Sequence, residues 1–147
     1  MSTDEAMTQD LVMTLENGKE GFEKAAKKLA ETNEPQLAET FSGYARDRAR
    51  MSAELVGLAG TYGDQIRETS TTAGAVHRGW MAVKDALSGH DAKGVLDAAV
   101  QGEEHAVSEF EKALREDLSP GMRDVVSRQL AEVARVRDHV RRLQQAH

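Results

Sequence analysis

Few side chains in this sequence are equipped for chemistry, and those few recur at helical spacing. Cysteine is absent, which excludes disulfides, zinc fingers, iron–sulfur clusters and a thiol nucleophile. With no cysteine and no matched acid–base pair near His77, no nucleophile constellation is present. The polar residues on inward-facing positions are Tyr44, Arg48 and Gln129, with Glu103 beside them. Tyr44 and Arg48 are four apart and share one helix face. A buried guanidinium needs a carboxylate, because desolvating it alone costs several kcal/mol. Glu103 is the expected partner, and Gln129 is expected to complete the hydrogen bonding. Such a pair reads first as a structural tie that fixes helix register.

The elements that must position these groups are helices. Apolar positions alternate in steps of three and four, the period of an amphipathic helix. One stripe runs Leu11, Leu15, Gly18, Phe22, Ala25, Leu29, and a second runs Leu37, Phe41, Tyr44, Arg48, Met51, Leu55, Leu58, Tyr62. A third runs Val95, Ala99, Gly102, Ala106, Phe110, Ala113, and the last runs Met122, Val126, Gln129, Val133, Val136, Val140, Leu143. Between the second and third lies a shorter face of Ala73, Val76, Trp80, Val83 and Leu87. The spacing predicts helices over about 3–32, 35–62, 72–88, 91–117 and 120–145, in one domain spanning 1–147. Ser2 and Glu5 have capping-box spacing, Asp91 and Ser119 are good caps, and Pro120 suits a first helical position. Short turns at Pro35 and Pro120 make two antiparallel hairpins. The connection between them is long enough to cross a bundle. The expected fold is therefore all-α: a ferritin-like four-helix bundle with a short extra helix in the crossover. Gly18 and Gly102 lie on the stripes at a cost of about 1 kcal/mol each, so a bulky neighbour such as Trp80 is expected to approach them closely.

Three stretches carry a likeness: Asn17-Gly18-Lys19-Glu20-Gly21-Phe22, the run from Arg48 to Leu55, and Ala75-Val76-His77-Arg78-Gly79-Trp80-Met81. Gly102-Glu103 and Arg128-Gln129 add to it. Together they resemble a family of small bacterial four-helix-bundle proteins of unknown function, grouped with the ferritin-like superfamily. The likeness runs from Leu11 to Leu143, and the segment His77, Arg78, Gly79, Trp80 is its most specific piece. It implies the same fold and lends no activity. His77 itself reads as a capping or packing histidine.

Ferritin-like relatives often hold two irons between four helices. That cage takes a glutamate from each of two helices and a Glu-x-x-His pair from each of the others. No glutamate here has a histidine three residues later: Gly57 follows Glu54 at that spacing, and Arg135 follows Glu132. An arginine there opposes a cation. At about 100° per residue, Glu20 points to solvent, Glu54 and His139 lie on the flanks of their stripes, and Glu103 falls near an inward face. Glu54, Glu103, Glu132 and His139 are the least implausible ligands for iron or another divalent metal. Their plainer reading is charge pairing at the rim. In the sharper reading, Arg48 and Glu103 are the relic of a metal centre, with arginine supplying the positive charge.

The formal net charge of −6 argues against a nucleic-acid partner. The opening MSTDEAMTQD has neither the basic start nor the apolar run of a secretory signal, and no stretch is apolar enough to span a membrane. A cytoplasmic protein is expected. Charge is uneven, with residues 91–118 acidic and the last helix carrying six arginines against Asp124, Glu132 and Asp138. Complementary packing of those two helices is the first explanation. Arg135, Arg137, Arg141 and Arg142 offer an acidic partner or polyanion as another. The leading functional expectation is a non-catalytic interaction or stress-associated module, with a homodimer or protein partner open. The alternatives are metal handling at a degenerate di-iron-type site and binding of a small apolar molecule between the helices.

Overall fold

The computed structural model describes residues 3–66 and 91–147. The short helix expected over 72–88, with His77, Arg78 and Trp80, lies outside the described residues, as does Ser2 of the capping box. Four helices are present: α1 (Thr3–Glu31), α2 (Pro35–Thr61), α3 (Ala92–Leu114) and α4 (Pro120–Ala146). Among the described residues there is no strand, and no helix is long and apolar enough to cross a membrane.

Local chemistry explains where each helix stops. At the end of α1, Asn33 takes a left-handed φ of 66°, and Glu34 N–H donates to Leu29 C=O at 2.9 Å. This wraps the last turn back on itself, a closure that asparagine tolerates better than most residues. The end of α2 repeats it: Gly63 sits at φ 84° and Asp64 N–H donates to Ala59 C=O at 2.9 Å. Asp91 caps α3 by accepting from Gly94 N–H at 2.9 Å. α3 stops at Leu114, short of the expected 117. There the Arg123 guanidinium donates to Leu114 C=O at 2.8 Å and to Glu116 C=O at 2.5 Å, satisfying carbonyls that would otherwise continue the ladder. Ser119 occupies the N-cap of α4, but its side chain makes no capping bond. Its backbone N–H instead donates to buried Asp4, at the start of α1.

α1 packs against α2 and α3, and α4 packs against α3 and α2. α2 and α3 therefore stand on opposite corners. The Asp4–Ser119 bond ties the start of α1 to the α3–α4 turn, and Tyr44–His139 with Arg50–Glu132 sets α4 antiparallel to α2. Ile66 joins the apolar cluster at one end, whereas Ala92 packs on the cluster at the other. The chain thus leaves α2 and re-enters α3 at opposite ends of the bundle.

The core divides in two. One cluster gathers Phe22, Leu29, Phe41, Leu96 and Val140. The other gathers Leu15, Leu55, Phe110, Met122 and Val133. Phe22 and Phe41 meet edge to face with centroids 5.3 Å apart, the geometry that the ring quadrupoles favour. The level between the clusters holds the polar and small buried residues Asn17, Gly18, Arg48, Gly102 and Glu103, while Ser52 and Gln129 are buried among the residues of the second cluster.

Candidate functional site

Arg48 and Glu103 lie at that middle level, on the diagonally opposed helices α2 and α3. Arg48 is 1% exposed and Glu103 is 0% exposed. The guanidinium reaches across the bundle axis and grips both carboxylate oxygens, Nη1 to Oε1 at 2.9 Å and Nη2 to Oε2 at 2.6 Å. Two parallel charge-assisted bonds fix the relative height and rotation of α2 and α3 together. The Phe22 ring lies against the same guanidinium, with its centroid 5.3 Å from Cζ. Burial pushes the Glu103 carboxyl above its ordinary range, and the Arg48 charge and hydrogen bonds pull it back part of the way.

Gln129 does not complete this pair. It is fully buried, but its Nε2 donates to Met51 C=O at 3.1 Å and to Glu54 Oε1 at 2.8 Å. Its Oε1 has no hydrogen-bond partner among the described residues. Tyr44 likewise turns aside from Arg48, and its hydroxyl bonds His139 Nδ1. Burial is the first cause that raises the Tyr44 hydroxyl above its ordinary range, with the Glu103 charge adding to it. Tyr44 therefore stays protonated, and its hydroxyl shares one hydrogen bond with His139 Nδ1.

These two corrections share a cause. α4 is one corner round from the Arg48–Glu103 diagonal, so its polar side chains meet α2 across their common seam. Among the described residues, hydrogen bonds across that seam join Tyr44 with His139, Arg50 with Glu132 at 2.8 Å, Gln129 with Met51 C=O, Arg128 with Glu54, and Gln129 with Glu54. Burial raises Glu54, but the bonds from Arg128 and Gln129 and the charges of Arg128 and Arg50 outweigh it, leaving the carboxyl below its ordinary range.

The four residues weighed as metal ligands are thus dispersed. Glu103 is held on the axis by Arg48, Glu54 by Arg128 and Gln129, Glu132 by Arg50, and His139 by Tyr44. Glu20 pairs with Lys24 on the outside of α1. Among the described residues no three carboxylate or histidine groups converge on a point where a cation would sit. The donor set does not fit a di-iron cage, since its one axial carboxylate already faces a fixed positive charge.

Sequence reasoning passed over the partners on the far side of each pair. Arg128 and Arg50 take up Glu54 and Glu132, and their only signal was antiparallel register: 50 with 132 and 54 with 128 give the same sum. The same seam holds a surface cleft of about 490 Å³ lined by residues of α2 and α4. Residues 5–116 match the model of a family described as a domain of unknown function, DUF2383. The match covers nearly all of α1 and the whole of α2 and α3, and ends before α4. No curated protein and no solved structure matches the chain.

Proposed function

The chain belongs to the DUF2383 family, and we propose that it is a non-catalytic bundle of ferritin-like arrangement that works as an interaction module through its surface. The observation that carries this reading is the sealed Arg48–Glu103 fork at mid-bundle. A ferritin-like metal centre would draw its carboxylates to that level, and here a guanidinium holds the place. A divalent ion about 4 Å from that guanidinium would be repelled by on the order of 8 kcal/mol at an effective dielectric of 20. That repulsion cancels the attraction of one carboxylate at the same distance, and the other candidate ligands are engaged at the rim. Antiparallel neighbours and a chain that crosses from one end of the bundle to the other support the ferritin-like arrangement.

Anaerobic titration with ferrous iron, followed by exposure to oxygen, tests the reading directly. The expected result is no stoichiometric iron binding, no oxygen uptake and an unchanged melting temperature. Saturable binding with oxygen consumption would overturn it in favour of metal handling.

A further inference from the structure

The α4 arginines divide into two groups. Arg123 holds backbone carbonyls, Arg128 holds Glu54, Arg137 holds Asp138 and Arg141 holds Glu104. Arg135 and Arg142 are exposed and make no ion pair or hydrogen bond among the described residues. Both line the cleft between α2 and α4, and His139 lies between them. Residues 135, 139 and 142 fall at i, i+4 and i+7 and so present one face. The α2 wall supplies Arg50, which Glu132 neutralises at 2.8 Å with Asp47 at 3.9 Å. Three arginines against two carboxylates leave the lining positive, in a chain whose net charge is −6.

We propose that this cleft is a binding site for a small phosphate-bearing anion. Its three donors would be the guanidinium groups of Arg135 and Arg142 and the imidazole of His139. Guanidinium forks match the oxygen geometry of phosphate and carry their charge at every relevant pH. Tyr44 positions the third donor: its hydrogen bond to Nδ1 holds the ring and leaves Nε2 as the nitrogen open to a ligand. The volume of about 490 Å³ holds a phosphate together with a small organic group. A long polyanion is disfavoured by the acidic surface elsewhere, because each further contact would meet like charge. The site is separate from the axial ion pair, so its fate does not depend on the iron titration, nor that reading on this one.

Calorimetric titration of the full chain with inorganic phosphate and with glycerol phosphate, at constant ionic strength, tests the proposal. Saturable binding of either anion at one site per chain is expected, and whichever binds more tightly identifies the source as free phosphate or a phosphate monoester. Arg135→Gln and Arg142→Gln should each weaken it by about tenfold or more, the loss of a charge-assisted bond. Arg141→Gln removes the same charge from the same helix outside the cleft and should leave affinity within about twofold. Absence of saturation with both anions overturns the site. An equal loss in Arg141→Gln also overturns it, since bulk charge would then explain the binding.

Discussion

Replacing Arg48 with methionine strips the partner from a carboxylate that water does not reach. Arg48 donates two of its bonds to Glu103, and both residues are almost wholly buried. Removing one member of such a pair costs about 3–5 kcal/mol, because the other charge is left uncompensated. Domains of this size are stable by about 5–15 kcal/mol, so Arg48→Met should leave a folded but weakened bundle. At about 2–4 °C per kcal/mol, the melting temperature falls by roughly 6–20 °C. The loss also acquires a pH signature. Burial already raises Glu103, and Arg48 is the main influence holding it down. Without Arg48, the folded state keeps the carboxyl proton where the unfolded chain has released it, so stability declines as pH rises through that window. The variant should therefore lie closest to wild type at acid pH and fall behind toward neutrality. Adding Glu103→Gln removes the ionisable group, and the double variant should recover part of the loss and shed the extra slope. Urea unfolding of the three proteins at several pH values between about 5 and 8 measures both effects. If Arg48→Met unfolds within about 1 kcal/mol of wild type and shows no added pH slope, the account of a register-fixing pair is wrong.

Glu54→Gln should act in the opposite sense. Burial raises this carboxyl, yet Arg128 and Gln129 bring it below its ordinary range, so its stabilising share is present above that range and fades as acid protonates it. The variant should lose stability near neutral pH and show a shallower acid limb, and unfolding below about pH 5 checks this. Gly57→Ala should raise stability by about 0.5–1 kcal/mol. An added Cβ there meets nothing within 4 Å, and Gly57 sits well inside α2. A fall in melting temperature would show that the space is occupied.

The helices were legible because their signal is repeated. Leu11 to Leu29 and Met122 to Val140 each state the same period several times, and their stripes are buried. The Arg48–Glu103 partnership was legible for a different reason: Arg48 sits on an apolar stripe with Glu103 beside another, and a charge turned inward must find its opposite. Gln129 obeys the same rule for burial but not for partner. Its stripe position fixed that it turns inward, whereas the corner on which α4 stands decided that it meets Met51 and Glu54. Periodicity describes one helix at a time and carries no information about which corner each helix takes.

The charge layout shows what that missing information is worth. An acidic α3 followed by an arginine-rich α4 suggests that the two neutralise each other, and Arg141–Glu104 does so. Arg128 and Glu132, however, spend their charge across the other seam, on Glu54 and Arg50 of α2. Those bonds do more than balance charge. α2 and α4 are the most loosely packed neighbours in the bundle, so long side chains bridge a gap that apolar contact does not close. A seam of that kind leaves room for a cleft, and it consumes the carboxylates that would otherwise be available to a metal. The dispersal of Glu54 and Glu132 and the opening beside Arg135 and Arg142 are therefore one consequence of the same helix spacing. On this view, shortening the bridge should reshape the cleft without touching the axial pair, which separates the surface site from the core that supports it.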